Sequence, residues 1–526
     1  MVNQARSPRF WAILFTLALT SLLTALEATI TSTILPDIVA DLGGGDNYIW
    51  VANGYLLTAA SFQPMFGQIA NVFGRRWPMI VATVFAVLGS GICGGSTNMS
   101  TLIAGRVLQG IGGSGISVLA ETVVCDLVPL RERGNIMALV FGMVSLGAAL
   151  GPLFGGLLVS YSSWRWAFYM ALPVGGLALI LLVMFLHVNY DKSTALATKL
   201  GALDWLGNTV FVGASCSVLI ALSWAGGQYA WSSPHTIVPL ILGLLALAAF
   251  MVIERYAAKN PMMPLHLFAN RTSAVTFALT FLHGLLTMWA LYFLPVYFQG
   301  VRGATPYRSG VMLLPTIFAL VPSAITGGLL LTKLGRYKPI LIVAFALMLV
   351  GFGLFSLLGP SSSAGAWIGF QIIEAAGAGL AIPTLLPALL APLSDKDTAL
   401  ATGTWAFMRS FGLTWGVAIA GAVFTNRAEQ LAQAGAITTN TTVTADFIAG
   451  RAYQDATASF LDSLSAETRE QVTAVQNSSL QRSWQVALAF AGVGVLVSAL
   501  LKEVPLRKEL ESEFGMKTQH DDIQAS

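Results

Sequence analysis

Apolar runs of about 18 residues or more recur along this chain, each long enough to cross a hydrocarbon layer roughly 30 Å thick. In hydrocarbon every backbone N–H and C=O must be satisfied within the segment, so such runs become helices. A membrane β-barrel would need strands of about ten residues alternating apolar and polar, and no such alternation is present. Only 10% of the 526 residues are charged and 55% are hydrophobic, whereas soluble domains carry about 25% charge. The sequence predicts an all-α, polytopic membrane protein.

Fourteen spans are expected, near 10–34, 48–70, 77–95, 101–123, 134–158, 165–187, 205–224, 236–254, 272–298, 308–332, 338–358, 364–390, 398–424 and 484–502. With the N-terminus inside, the inner segments hold nineteen of the 28 Lys and Arg, as the positive-inside bias requires. Seven lie outside, four of them in the polar segment 425–483, and Arg106 and Arg409 fall within spans. Both termini are expected on the cytoplasmic side. MVNQARSPRF runs straight into a full-length span, so it reads as a retained first helix and not as a cleaved signal. The expected organisation is a six-helix bundle over 1–187, a linker with two additional helices over 188–271, a second six-helix bundle over 272–502 with a long outer loop at 425–483, and a tail over 503–526. The outer loop carries glycosylation sequons at Asn440 and Asn477.

Two spans end on one repeated stretch. Residues 67–76 read GQIANVFGRR and residues 327–338 read GGLLLTKLGRYK. In each a glycine precedes Gly-Arg by seven positions: Gly67 before Gly74-Arg75, and Gly328 before Gly335-Arg336. With spans seven and eight set aside, both copies occupy the inner loop after the second helix of a six-helix half. Parallel six-helix repeats related by an axis along the membrane normal belong to one transporter architecture. Arginines in these loops face anionic headgroups and negative helix ends, and Asp126 is a natural partner for Arg75. The stretch reads as a conformational latch of Gly67, Asn71, Gly74, Arg75, Arg76, Asp126, Gly335 and Arg336 that breaks when the halves rock. The plainer account is that Arg75 and Arg76 only enforce topology.

Ionisable residues at membrane depth are expensive and mark function. Glu27 lies roughly seven residues, so about 10 Å at 1.5 Å per residue, from the outer end of span one, and Arg106 lies about five residues from the outer end of span four, at a similar depth. Desolvation pushes such a carboxylate toward its neutral form and a nearby arginine pulls it back, so a moving partner makes it take up and release a proton. Glu27 and Arg106, and Glu374 and Arg409 in the second half, are therefore the proton-coupling candidates. Static ion pairing is the alternative for each, and Glu121, nearer the inner end of span four, ranks lower. Asn53, Tyr55, Gln63, Trp289, Tyr292, Tyr297, Gln371 and Trp405 are candidates for lining an apolar cavity with few polar anchors, although aromatics in spans more often face lipid. Gly147, Gly151 and Gly155 stand four apart, a stripe on which helices pack closely; Pro152 bends that helix. The Gly-x-Gly-x-x-Gly at 110–115 follows no strand and reads as helix packing. The three cysteines and the scattered histidines show neither disulfide nor metal spacing.

At these residues the sequence resembles the major facilitator superfamily, and within it the fourteen-helix drug:proton antiporters of the fungal toxin and metabolite efflux branch. GQIANVFGRR is similar to the family loop motif Gly-x-Leu-Ala-Asp-Arg-x-Gly-Arg-Arg, with Asn71 where the family usually has aspartate. LIAGRVLQGIGGSG resembles the fourth-helix motif through Arg106, Gln109 and Gly110. GAALGPLFGG resembles the fifth-helix antiporter motif through Gly147, Gly151, Pro152, Gly155 and Gly156, and ALEATITSTILP the first-helix signature, with Glu27 at the usual aspartate position. WVANGYLL, LVPLRERG, SSWRWAFYM and MRSFGLTWGVAIAG add to the likeness. The resemblance implies two six-helix bundles plus two extra central helices, alternating access, and export of small, largely apolar compounds. It implies a proton gradient as the driving force, with no bound cofactor. The neutral Asn71 implies a weaker latch than an aspartate would give.

The expected partners are a small-molecule cargo, protons and the lipid bilayer, with no nucleic acid. The expected site is the plasma membrane, with a vacuolar or vesicle membrane as the alternative. Uptake or vacuolar transport of siderophores or basic amino acids also fits fourteen-helix relatives. An enzyme would need a nucleophile–base pair or metal cluster at membrane depth, and a nucleotide-driven pump a phosphate loop; the sequence carries neither. A channel is disfavoured by duplicated halves with intramembrane acids and bases.

Overall fold

The computed structural model describes residues 7–43, 49–187, 195–225 and 228–507; residues 188–194 of the expected linker and the tail beyond 507 lie outside them. Among the described residues there is no strand. The first half comprises α1 (Pro8–Leu42), α2 (Ile49–Ser61), α3 (Gln63–Phe73), α4 (Arg76–Gly94), α5 (Met99–Leu127), α6 (Arg133–Tyr161) and α7 (Ala171–Phe185). Next come α8 (Trp205–Trp224) and α9 (Pro234–Tyr256). The second half comprises α10 (Arg271–Val296), α11 (Leu314–Leu334), α12 (Lys338–Phe355), α13 (Ala364–Leu390), α14 (Thr398–Gln433) and α15 (Ala466–Ala499).

Local chemistry sets these boundaries. Ser7, Asn98, Ser363 and Ser465 each cap a helix N-terminus by accepting from a backbone N–H of the first turn. Thirteen helices among the described residues are long and apolar enough to cross a membrane. The expected second span is not one of them. It consists of α2 and α3 meeting at Phe62, 13 and 11 residues long and each too short to cross alone, and it carries the polar Asn53, Gln63, Gln68 and Asn71. Leu245, Phe318 and Leu496 are more than 60% exposed, an arrangement suited to a surface bathed in lipid and not in water.

Helix pairing repeats between the halves. In the first, α1 packs on α6 and α7, α5 on α2 and α4, and α4 on α7; in the second, α10 packs on α14 and α15, α13 on α11 and α12, and α12 on α15. Glycine positions share the register. A Cβ added at Gly89 would lie 2.6 Å from the Gln109 nitrogen, and one at Gly351 would lie 2.5 Å from the Glu374 Cβ. Glu374 therefore occupies in the second half the place Gln109 holds in the first, and Gln371 the place of Arg106. The glycine stripe of α6 is duplicated too. Added Cβ atoms would lie 2.3 Å from the Leu22 carbonyl at Gly147 and 2.0 Å from the Thr29 hydroxyl at Gly151; at Gly412 and Gly416 they would lie 2.2 Å from the Phe281 and Leu285 carbonyls. Gly155 continues the stripe against Ile30, while Gly156 meets only the Thr33 methyl at 3.7 Å. Pro152 lies inside α6.

The segment 425–483 is helical at both ends, as α14 runs on to Gln433 and α15 begins at Ala466. Between them lie short helices Thr441–Ile448 and Ala458–Asp462. Asn440 caps the first, its Oδ1 accepting from Thr442 and Val443. Asn477 sits within α15, not on a loop. The inserted α8 and α9 pack on each other, and α8 also leans on α2 and α14, beside the crevice between the halves.

Candidate functional site

The repeated stretch is where the halves meet at the basic face. A Cβ at Gly67 would stand 2.7 Å from the Ala399 carbonyl oxygen, and one at Gly328 would stand 2.6 Å from the Gly134 carbonyl oxygen. The first glycine of each copy is thus a contact point between bundles. The second ends its helix in a turn: Gly74 has φ 76° and Gly335 φ 66°, values that favour glycine.

Arg75 finds Asp126 as expected, with Nε 2.6 Å from Oδ2, and its Nη1 donates to the Ala70 carbonyl at 2.8 Å. Both partners are buried and both belong to the first half. The pair fastens the loop to its own bundle and does not reach the other half. Arg76 donates to the Val183 carbonyl in the same bundle, and Arg336 lies 3.9 Å from Glu503 in the other. Asn71 lines a cavity of about 330 Å³ beside Asn260, His266 and Leu400. A polar clasp between the halves at this face is Arg131 of the LVPLRERG stretch, a residue with no role expected from the sequence: Nε donates to the Thr332 carbonyl at 2.8 Å and Nη2 to the Lys333 carbonyl at 3.0 Å, at the negative end of α11. Arg131→Ala should weaken basic-face closure by about 1–2 kcal/mol, roughly tenfold in the open-to-closed ratio. Faster alkylation of a cysteine placed at the contact will report it.

Away from this closed face the interior is hollow. A cavity of about 390 Å³ is walled by α2, α8, α10 and α14 and reaches Tyr453 in the outer segment. A second, of about 180 Å³, lies among α1, α2, α5, α6 and α14. Ala59, Gln63 and Ser410 line both. Both cavities lie away from the face where the two glycine contacts join the halves. Asn53, Gln63 and Tyr292 line the larger cavity, as expected, and Tyr55 and Gln63 the smaller. The other aromatic and amide candidates do not line either. Trp289 donates to Ser483 at 3.0 Å, Tyr297 to the Gly359 carbonyl at 2.9 Å, and Gln371 is held by Thr316, Met312 and Trp367; each satisfies its polar atoms within its own half. Trp405 lies beneath the guanidinium of Arg409, 4.7 Å from its ring. Ser223 of α8, which hydrogen-bonds Asn53, and Tyr453 also wall the larger cavity. Nothing local in the sequence marks either one.

Glu27 and Arg106 come together in the core of the first half. Arg106 Nη1 donates to the Glu27 carbonyl at 3.2 Å and to Gln109 Oε1 at 2.9 Å, while its Nε donates to the Val51 carbonyl at 2.8 Å. Gln109 Nε2 donates to Ser90 at 2.8 Å, and the Ser90 hydroxyl donates to the Glu27 carboxylate. The connection between the two charged side chains is thus a relay of polar groups. The Tyr55 ring covers Arg106 at 4.5 Å and lines the smaller cavity, so one side chain separates the network from it.

In the second half Glu374 and Arg409 do not pair. Glu374 is buried, and its Oε1 has no hydrogen-bond partner among the described residues. Arg409 instead crosses to the first half, where Nη2 lies 3.3 Å from Glu121 Oε1. Glu121, expected near the inner end of its span, is buried here and is the carboxylate that Arg409 meets. The expected pairing considered one half at a time, whereas the rocking interface brings α5 and α14 together.

The family model of the Major Facilitator Superfamily matches residues 17–417. The chain is 58% identical over 514 residues to the MFS-type transporter pydD of an Acremonium species, covering 97% of this chain and 89% of that one. It is 42% identical over 518 residues to the efflux pump FUS6 of Gibberella moniliformis, covering 98% and 92%. The fold matches that of the human organic anion transporter MFSD10 with a TM-score of 0.58 at 16% identity, over 94% of this chain and 100% of that one. It also matches the proton:xylose symporter XylE with a TM-score of 0.58 at 12% identity, over 95% and 98%. With its two six-helix bundles, its repeated inter-bundle glycine contacts and its central hollow, the chain belongs to the Major Facilitator Superfamily of multi-pass membrane transporters.

Proposed function

We propose that this transporter exports small, largely apolar organic compounds in exchange for protons, by alternating access, from the plasma membrane. In this reading 49–73 is a broken second crossing and the membrane count is fourteen. One observation carries it: the apolar hollow is shut at the basic face, and Glu121 and Arg409 supply the charge on its lining. Such a wall accepts bulky, weakly polar cargo through a few anchors, here Asn53, Gln63, Ser223 and Tyr292. Relatives named as efflux pumps support the outward direction. Neither Glu27 nor Glu374 faces lipid, at 1% and 2% exposure, as a coupling carboxylate requires.

Deleting the gene in its own organism and profiling small molecules by mass spectrometry tests this directly. One or a few endogenous compounds should be retained in the cells and depleted several-fold from the medium. The intact gene should restore secretion, and a protonophore should abolish it. An unchanged profile would refute export; secretion indifferent to the protonophore would refute the proton coupling.

A further inference from the structure

We infer that Glu121 and Arg409 form a lock between the two halves that a proton opens from the outer side. This deepens the proton-coupled reading above and rests on it.

The position of the pair makes the case. Glu121 belongs to α5 and Arg409 to α14, so the 3.3 Å contact spans the surface along which the halves rock. Among the described residues no other ion pair joins the halves within the membrane. Arg409 cannot readily turn elsewhere, because its guanidinium is held over the Trp405 ring at 4.7 Å and the Phe141 ring at 5.1 Å. Glu121 is 3% exposed by its side chain, and its second oxygen, Oε2, is buried without a hydrogen-bond partner among the described residues. Among the described residues only Arg409 holds this carboxylate in place.

The pair also has a route to water. Both residues line the smaller cavity, which adjoins the larger one at Ala59, Gln63 and Ser410, and the larger one reaches Tyr453 on the outer side. In the other direction lie Trp405 and the Gly67 contact with α14, which close the basic face. A proton entering from outside thus meets Glu121 just above the closed gate.

Other ionisable groups on the surrounding elements are otherwise engaged. Tyr55 of α2 donates to the Thr24 carbonyl, and Arg133 of α6 donates to the Val128 carbonyl. Arg75 and Asp126 hold each other, and His283 of α10 contacts the Ala378 carbonyl. Cys125 on α5 is buried one turn further toward the basic face.

The step balances simply. A proton from the outer solution binds the Glu121 carboxylate, the charge holding Arg409 disappears, and the basic face opens. Loss of that proton to the inner side restores the carboxylate, which takes back Arg409 as the gate closes behind the cargo.

The test needs no cargo. Spin labels on Trp77→Cys and Leu334→Cys, exposed positions on opposite halves at the basic face, are placed in a background lacking the three native cysteines. In the unaltered lock the inter-label distance should lengthen by about 5 Å, the scale of a one-turn shift, on going from about pH 8 down to about pH 4, which takes in the ordinary carboxylate range. With Glu121→Gln the open population should be present at both pH values. Arg409→Gln should behave the same way, which keeps the test decisive if either variant fails to fold. A pH response that persists in either variant overturns the lock. If it persists while secretion stays protonophore-sensitive, export coupled to protons stands and its coupling residue lies elsewhere; if secretion is insensitive, the underlying reading has failed instead.

Discussion

Gly67→Val should abolish transport while leaving the protein inserted and folded. The Cβ it adds would fall 2.7 Å from the Ala399 carbonyl oxygen and 3.3 Å from the Gly403 Cα. Both are backbone atoms of α14, so no rotamer change can make room. The strain exists only when the basic face is shut, because that is when α3 and α14 touch. Overpacking of this kind costs about 1–3 kcal/mol, here falling on one conformer of a two-state machine, so the rate should drop by about five- to 150-fold. Gly328→Val should do the same through the Gly134 carbonyl, 2.6 Å from its added Cβ. The double variant should be little worse than either alone, since one wedge already blocks closure. Gly369→Val, at a helix position with nothing within 4 Å, is the control that should transport normally. Rate measurements on the four variants, together with surface expression, decide the matter. Normal transport by Gly67→Val would remove the glycine contact from the cycle.

That role for Gly67 shows what the sequence disclosed and what it withheld. Long apolar runs, the lysine and arginine bias and the GQIANVFGRR repeat are one-dimensional signals, and they disclosed an all-α membrane fold with duplicated halves. Asp126 as the partner of Arg75, and Glu27 with Arg106, were legible because each pair lies within one half, where helix order and depth fix who can meet. The contacts between halves were not legible. Arg131 reaches main-chain carbonyls of α11, which have no residue identity to read. Arg409 reaches Glu121 over 288 positions of sequence, and its near neighbour Glu374 was the misleading local choice. The inserted helices looked like a linker, yet α8 supplies Leu219, Leu222 and Ser223 to the cavity wall. Trp289 and Gln371 were drawn toward the cavity by their chemistry alone, and packing within their own half claimed them.

The two coupling candidates of the first half should separate under mutation. Arg106→Ala should eliminate all transport, including cargo exchange without a gradient. Arg106 is fully buried and serves the Val51 carbonyl, the Glu27 carbonyl and Gln109 at once. Alanine leaves two main-chain carbonyls and an amide unserved, at about 1–3 kcal/mol each, and removes the cation nearest Glu27. Arg106→Lys should fail as well, because a single ammonium cannot reproduce the three directions of a guanidinium fork. Glu27→Gln is gentler. The amide keeps an oxygen to accept from Ser90 and keeps the shape of the site, but it exchanges no proton. Exchange should therefore survive in Glu27→Gln while acceleration by an imposed pH gradient disappears. The comparison distinguishes a scaffold from a coupling site, since a purely structural carboxylate would leave the gradient response intact. A Glu27→Gln protein that still accelerates fully under the gradient would assign the network to holding α1, α4 and α5 together, and would leave Glu121, at the floor of the hollow, to carry the proton.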